Sequence, residues 1–245
     1  MLKAVIFDID DTLFDHRHSA RTALTTLQEH YPTELGAVPM DELERAHREL
    51  LNTIHIQVLN GTLDQSEARR RRFALLLTRY GIEASEEEQL ALRRRYRACY
   101  QASRRAAIGS IPLLMALRER ELRIGLLSNN LVEEQLGKLD ACGLRDLVDS
   151  MTISEEAGVT KPDLRIFHIA LERLGCSASE VVLIGDSWTN DIQPARTLGI
   201  HSIWYNSYAA PIRDETVPIL TSFLDLDLVL AMVLGSGATL WNSRN

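Results

Sequence analysis

The sequence predicts an α/β fold: a doubly wound parallel sheet with an all-helical segment inserted after the first strand. Two observations indicate this. From residue 111 onward, short apolar segments alternate with helical ones, and residues 15–106 show helical periodicity without a strand pattern. Strands that alternate with helices of this length form parallel sheets. We therefore expect a core domain of residues 1–14 and 107–245, and a helical domain of residues 15–106.

The predicted strands of the core are short and apolar. The first, residues 2–7, is nearly continuous in apolar residues, as is typical of a strand buried on both faces. The later strands are predicted at residues 123–127, 151–153, 181–184 and 201–205, and the helices at 112–121, 132–142, 163–174, 191–198 and 223–234. Gly143 and Gly175 directly follow two of these helices, where a glycine commonly ends a helix.

The inserted segment is rich in arginine. It holds 15 of the 27 basic residues, and none of the 15 is a lysine. Apolar stripes at helical spacing occupy residues 43–54 and 73–80, and Asp64 and Ser66 precede the second as helix-start candidates. The arginine runs at 69–72 and 93–95 have glutamates nearby and no aromatic platform, so solvated helix faces with ion pairs are the interpretation. The alternative is that one or two of these arginines meet a substrate anion.

Composition indicates an ordinary soluble protein. The chain has 245 residues, 45% of them apolar, and a formal net charge of -7, which argues against a nucleic-acid polymer as partner. Three widely spaced cysteines fit a reducing cytoplasm better than a disulfide framework. No signal peptide is visible and no apolar run approaches the roughly 20 residues of a membrane span, so we expect a cytoplasmic protein without a membrane partner. A monomer and a homodimer are both compatible with the sequence.

Polar side chains follow the predicted strands at the point where each strand ends. Ligands bind at the carboxyl ends of the strands in doubly wound sheets, so these side chains are the candidate site. In chain order they are Asp8, Asp10, Ser128, Asn129, Lys161, Asp186 and Asp191.

Several carboxylates at one sheet edge repel one another unless a cation compensates them. Oxygen ligands of this kind suit Mg²⁺. With Lys161 and Ser128 beside them, the carboxylates predict phosphoryl transfer, which depends on positioning and charge stabilisation. In the Asp-x-Asp pair, Asp8 would attack phosphorus, and Asp10 would protonate the leaving group and then deprotonate water.

These residues lie in four segments that resemble the motifs of the haloacid dehalogenase (HAD) superfamily. Residues 5–13 (VIFDIDDTL) resemble its first motif, and Ser128 after an apolar strand is similar to its second. Lys161 followed by Pro162 and Asp163 resembles the third, and residues 184–191 (IGDSWTND) resemble the fourth. All four occur in the order of the family and span most of the chain.

The resemblance implies a Rossmann-like, HAD-type core and a role for each matching residue. Asp8 and Asp186 are expected to bind Mg²⁺ by side chain and Asp10 by its backbone carbonyl. Asp8, Asp10 and Lys161 are the expected catalytic residues.

The remaining candidates surround them. Ser128, Asn129 and Lys161 are expected to bind the phosphoryl group. Asp191 is expected to orient Lys161 or a metal-bound water. Asn190 is expected to support the residues that contact the ligand without contacting it itself. The helical insert corresponds in position and size to the cap of the family, which closes over the site and contacts substrate.

The predicted function is a Mg²⁺-dependent phosphatase, a phosphoric monoester hydrolase, acting on a small phosphorylated metabolite through an aspartyl-phosphate. Residues 61–64, leading to Arg72 and Phe73, are similar to a stretch in the caps of nucleotidase-like members. This likeness favours a 5'-nucleotidase, with sugar phosphates, phosphoglycolate and other small monoesters as open alternatives.

Three other functions share parts of this pattern. A sugar-phosphate mutase has the same motifs and differs in the fate of the aspartyl-phosphate. A haloacid dehalogenase attacks carbon and needs no acid at Asp10. A phospho-aspartate receiver-like module, which is not an enzyme, combines acidic residues, a hydroxyl and a lysine on a parallel sheet, but Asp10 and the insert argue against it.

Overall fold

The computed structural model describes residues 1–235 and contains a six-stranded sheet in which all neighbouring strands are parallel. Its order is β3-β2-β1-β4-β5-β6. The central strand β1 pairs through Phe7 with Leu126 of β2 and with Ile184 of β4. The predicted fold class is confirmed. The strands are β1 (Ala4–Phe7), β2 (Arg123–Ser128), β3 (Ser150–Ile153), β4 (Val181–Gly185), β5 (His201–Tyr205) and β6 (Ile219–Leu220).

Residues 16–102 form five helices. Helix α4 begins after Asp64, whose side chain accepts hydrogen bonds from the backbone N–H groups of Ser66 and Glu67, as the sequence predicts. A capping box of Ser85 and Glu88 begins α5. Helix α1 packs on α5 and α3 packs on α4. The helices are α1 (His16–His30), α2 (Pro32–Leu35), α3 (Met40–Leu59), α4 (Gln65–Arg79) and α5 (Glu86–Ala102).

The remaining helices alternate with the strands of the sheet. Helices α7 and α9 end at Gly143 and Gly175, which adopt the left-handed backbone that favours glycine. The predicted helix at 191–198 differs: a π-helical turn, Trp188–Ile192, comes first, and Pro194 lacks the N–H that a continuous helix would need there. The helices are α6 (Ser110–Arg118), α7 (Val132–Cys142), α8 (Ser154–Ala157), α9 (Leu164–Leu174), α10 (Gln193–Thr197) and α11 (Leu226–Gly235).

The short strand β6 is absent from the sequence prediction, because two residues are too few to show a strand period. The central strands β1 and β4 are buried along their whole length, which explains why their residues are almost all apolar. Within residues 1–235, no helix combines the length and apolar composition that crossing a membrane requires.

The chain folds as two compact units. One consists of Met1–Asp15 together with the chain from Arg105 onward, and the other is His16–Arg104, called the insert below. The sequence instead places the two junctions after residues 14 and 106. The assignment of the insert as a cap stays a prediction.

Candidate active site

Three candidate residues end neighbouring strands of the sheet. Asp8 follows β1, Ser128 is the last residue of β2, and Asp186 follows β4. The backbone N–H of Asp8 donates to the carbonyl oxygen of Ile184 at 2.9 Å, which extends the pairing of β1 with β4 to the site. Because β1 lies between β2 and β4, the three side chains emerge at the same edge.

Lys161 lies at the centre of the site, with 5% of its surface exposed. Its ammonium donates to Asp8 Oδ1 at 2.6 Å, to Asp191 Oδ1 at 2.6 Å and to the carbonyl oxygen of Leu127 at 2.9 Å. The three donors of a lysine ammonium therefore all have acceptors. One buried cation thus joins the ends of β1 and β2 to the π-helical turn after β4.

The buried carboxylates carry perturbed pKa values. Burial raises the pKa of Asp8 to about 7, and the charges of Asp191 and Asp10 add to it, although Lys161 opposes them. Burial, with the charge of Asp8, also raises the pKa of Asp186 well above its usual 3.8. Burial alone would lower the pKa of Lys161, but the charges of Asp191 and Asp8 together raise it above 10.5. The site therefore holds more negative charge than Lys161 compensates.

Asp8, Asp186 and Asp191 each offer a carboxylate oxygen, and these oxygens lie within 4.8 Å of one another. Their chemistry and mutual repulsion fit a hard divalent cation such as Mg²⁺. Both oxygens of Asp191 have other partners: Oδ1 accepts from Lys161, and Oδ2 accepts from the N–H of Ser187 at 3.0 Å. Asp186 is therefore a better candidate for a metal ligand than Asp191, and the resemblance adds Asp8, whose Oδ1 also accepts from Lys161.

The side chain of Asp10 points into a separate polar pocket formed by residues at and after the end of β2. Lys138 Nζ donates to its Oδ1 at 2.5 Å, while Gln135 Nε2 at 3.0 Å and Asn130 Nδ2 at 3.2 Å donate to its Oδ2. Gln135 Nε2 also lies 2.6 Å from Ser128 Oγ. The two aspartates of the Asp-x-Asp pair thus have different partners and separate environments.

These pocket residues are absent from the sequence prediction. Lys138 is 3% exposed and lies over the ring of Phe14, at 5.2 Å from its centroid. The sequence does contain a pattern that is consistent with this pocket: Gln135 and Lys138 are three residues apart and therefore share one face of α7. A lysine on a helix is ordinarily interpreted as a surface residue, and this one is buried.

The structure places Asn129 against the loop that carries Lys161. Its Nδ2 donates to the carbonyl oxygen of Lys161 at 2.8 Å, and its Oδ1 accepts from the N–H of Lys161 at 2.7 Å. Asn129 therefore positions Lys161, and its expected contact with phosphate stays a prediction. Asn190 donates its backbone N–H to Ser187 Oγ at 3.2 Å, and within residues 1–235 its side chain makes no hydrogen bond.

Two further residues hold the end of β4 in place. The indole N–H of Trp204 donates to the carbonyl oxygen of Asp186 at 2.7 Å. Gly185 lies so close to Asp191 that a Cβ atom on it would be 2.6 Å from Asp191 Oδ2. Real Cβ atoms do not approach other atoms so closely, so this position requires glycine for lack of space.

Known proteins resemble this chain in sequence and in fold. The chain is 31% identical, over 83% of each chain, to a protein of Methanopyrus kandleri named glyceraldehyde 3-phosphate phosphatase. It is 27% identical to the Escherichia coli pyrimidine 5'-nucleotidase YjjG, over 83% of this chain and 86% of that one. Its fold matches the magnesium-bound crystal structure of the HAD-hydrolase YfnB of Bacillus subtilis with a TM-score of 0.74, at 24% identity, over 94% of this chain and 98% of that one.

The family described as haloacid dehalogenase-like hydrolase matches residues 2–199. The matched region includes every candidate site residue. The matched range also spans the insert. From this match and the identity to a full-length relative, the chain belongs to the haloacid dehalogenase-like hydrolase family and is an enzyme.

Proposed function

We propose that this enzyme is a Mg²⁺-dependent phosphatase that hydrolyses small phosphate monoesters through an aspartyl-phosphate on Asp8. The observation that carries the proposal is the pairing of Asp8 with the buried ammonium of Lys161, next to Asp186 and apart from Asp10. This arrangement supplies a nucleophile, a cation for phosphoryl oxygens and a separate proton donor. Relatives named as a glyceraldehyde 3-phosphate phosphatase and a pyrimidine 5'-nucleotidase support this reaction class.

Asp8 and Asp186 would hold Mg²⁺ by side chain, and Asp10 would add its backbone carbonyl. When bound, the ion supplies positive charge for the phosphoryl oxygens and lowers the pKa of the carboxyl groups beside it. That effect opposes the burial that raises the pKa of Asp8 to about 7. Asp8 is then a carboxylate at neutral pH, as a nucleophile must be.

In the first step an oxygen of Asp8 forms a bond to phosphorus and the ester P–O bond breaks. Oδ1 is held by Lys161, so we assign the attack to Oδ2, whose contact with the hydroxyl of Thr12 is a long 3.5 Å. Asp10 gives its proton to the leaving oxygen. In the second step water attacks phosphorus, Asp10 takes a proton from that water, and phosphate leaves with Asp8 regenerated.

Lys138, Gln135 and Asn130 would act through Asp10. Their donors hold both oxygens of its carboxylate, the state in which Asp10 takes a proton from water. When Asp10 carries the proton for the leaving oxygen, that proton takes the place of one of these donors. Gln135 also contacts Ser128, a proposed phosphate ligand, and thereby links the proton donor to the phosphoryl site. A dehalogenase has no need for this pocket, which favours phosphate-ester hydrolysis.

The test is release of phosphate from 4-nitrophenyl phosphate with Mg²⁺ and with EDTA, for the wild type and Asp8→Asn. We expect Mg²⁺-dependent turnover that falls at least about 1,000-fold in the variant, because the amide is not a nucleophile. Asp163→Asn, at an exposed site in the loop after Lys161, is the control and should retain activity. A folded wild-type enzyme that releases no phosphate would contradict the proposal.

The class of substrate is tested by a second measurement, the rate of phosphate release from different phosphate monoesters. Nucleoside 5'-monophosphates and glyceraldehyde 3-phosphate are the first compounds to compare, since relatives are named for acting on them. Net release of inorganic phosphate separates a phosphatase from a mutase, which returns the phosphoryl group to a sugar.

A further inference from the structure

Arg72 of the insert lacks the acidic partner that several other arginines there possess. Within residues 1–235, Arg72 makes no hydrogen bond or ion pair, and its Nε is buried without a partner. Arg70, two residues earlier on α4, instead pairs with Glu67 at 2.6 Å. Other pairs of the insert are Arg17 and Arg21 with Glu44, Arg79 with Glu49, and Arg95 with Glu29.

The surroundings of Arg72 contain hydroxyl groups and further cations. After burial, the largest influences on its pKa come from Tyr96, Arg69, Tyr100 and Arg97, and none of these is a carboxylate. The rings of Tyr96 and Tyr100 stack with centroids 6.4 Å apart. The two tyrosines lie on α5 and Arg72 lies on α4, so two helices supply the site.

Two histidines continue the cluster. The hydroxyl of Tyr96 lies 3.3 Å from Nε2 of the buried His47 on α3, and the hydroxyl of Tyr100 lies 2.8 Å from Nδ1 of His16 on α1. Hydroxyl and imidazole groups can both donate hydrogen bonds to an anion. The Arg72 cluster is therefore Arg72 with these two tyrosines and two histidines.

Arg72 and His47 respond differently to burial. Burial, with the charge of Arg72 as a second cause, lowers the pKa of His47 well below 6.5, so the histidine relieves the repulsion by losing its proton. Burial also lowers the pKa of Arg72, but a guanidinium remains charged at physiological pH. The cluster thus keeps one positive charge that no described carboxylate neutralises, and the buried Nε of Arg72 lacks the acceptor that a bound anion would supply.

We propose that Arg72, Tyr96 and Tyr100 form an oxyanion-binding site in the insert. The ligand would be a carboxylate or phosphate group, since the planar guanidinium matches two oxygens of either one and the tyrosine hydroxyls add donors. This oxyanion is either a second anionic group of the substrate or a free anion such as inorganic phosphate. The first source rests on the proposed function and the second does not.

The binding arm is a calorimetric titration of the metal-free enzyme with inorganic phosphate. The proteins compared are the wild type, Arg72→Met and, as a matched control on the same helix, Arg70→Met. We expect Arg72→Met to lose one binding event or at least about ten-fold in affinity, as the loss of a charged hydrogen-bond donor implies. Phosphate that binds elsewhere contributes equally to all three proteins and cancels in the comparison.

The kinetic arm compares 4-carboxyphenyl phosphate with 4-carbamoylphenyl phosphate, which have similar size but differ by one negative charge. If the substrate supplies the oxyanion, the wild type and Arg70→Met prefer the carboxylate by about ten-fold or more in kcat/KM, and Arg72→Met loses the preference. If a free anion is the ligand, no protein shows a preference and the phosphate titration alone depends on Arg72.

Phosphate affinity and substrate preference that are both unchanged in Arg72→Met would overturn the proposal. Circular dichroism verifies that each variant is folded. If Arg72→Met does not fold, Arg72→Lys replaces it in both experiments, because lysine keeps the positive charge but cannot bind two oxygens of one anion as a guanidinium does. A wild type that hydrolyses neither ester would refute the proposed phosphatase function, while the phosphate titration would still decide whether the anion site exists.

Discussion

The core and the insert differ in how they compensate cations that are wholly or partly buried. Lys161 of the core contacts two carboxylates, Asp8 and Asp191, and Lys138 contacts one, Asp10. Among residues 1–235, Arg72 of the insert contacts none. The insert is nevertheless able to build such pairs, since its buried Glu44 accepts from several arginines.

This difference indicates that the core and the insert use the positive charge of a side chain in two ways. In the core, each lysine neutralises carboxylates that the proposed reaction needs in fixed positions, so the charge is satisfied within the protein. In the insert, the charge of Arg72 lacks such a partner, which is the arrangement expected where a ligand completes the pairing. Removing a cation should therefore be costly in the core and far less costly at Arg72.

The largest effect is expected for Lys161→Met. The variant leaves Asp8 and Asp191 buried without their cation, so the free energy of unfolding should fall by about 3–5 kcal/mol. The kcat should fall about 100- to 1,000-fold, because the positive charge beside the phosphoryl group is lost. Urea unfolding of the metal-free protein and steady-state kinetics measure the two effects.

The matched control is Arg165→Met, which removes a cation from an exposed pair with Asp163 on the same segment of chain. It should leave both the unfolding midpoint and kcat unchanged, because exposed ion pairs contribute little. If Lys161→Met were as stable as this control, the pairing around Lys161 would not be what holds the site together.

A smaller effect is expected for Lys138→Met, which removes the ammonium that pairs with Asp10. Because Asp10 is the proposed proton donor, kcat should fall about 10- to 100-fold for an alkyl phosphate, whose leaving oxygen needs a proton. The loss should be smaller for 4-nitrophenyl phosphate, which has a better leaving group, and KM should change little. Lys138→Arg should restore most of the rate. Equal losses on both substrates would show that Lys138 supports the fold rather than Asp10.

The smallest effect is expected for His47→Gln in the insert. The pKa of His47 in the folded state lies well below 6.5, so its contribution to stability is present above that pH and is lost as the pH falls below it. Between about pH 7 and pH 5, the wild type should lose up to roughly 1.4 kcal/mol of unfolding free energy per pH unit from this group.

The glutamine variant should show a shallower dependence on pH, measured by urea unfolding across that range. His168→Gln, at an exposed position, should keep the dependence of the wild type. A variant His47→Gln with an unchanged slope would mean that another group causes the loss of stability in acid.

The sequence predicted the parallel sheet and the edge where the site lies. The strands are buried on both faces, so their apolar residues mark them, and the polar residues that follow Phe7 and Ile184 must then emerge at one edge. Asp8 and Asp186 are predictable for this reason. Lys161 lies in a loop, and only the order of the motifs pointed to it.

The residues that the sequence did not predict share a cause: their roles depend on packing between elements. Lys138 is buried because α7 lies beside the end of β2 and beside Asp10. The spacing of Gln135 and Lys138 puts both on one face of α7 but does not show that this face is buried. In the arginine run at 69–72, successive residues turn by about 100° around the helix, so four in a row must include one that faces inward. Arg70 fits the expected ion-paired surface, and Arg72 does not.

The tight approach of Gly185 to Asp191 has a consequence for which substitutions the enzyme tolerates. A methyl group at residue 185 would displace Asp191, and with it the lysine that Asp191 and Asp8 share, without removing a single charged atom. The most damaging change in the neighbourhood could thus be the smallest one chemically. In a collection of variants, Gly185→Ala should group with the losses of charged residues and not with the mild changes of β4, whose apolar positions accept other side chains of similar volume.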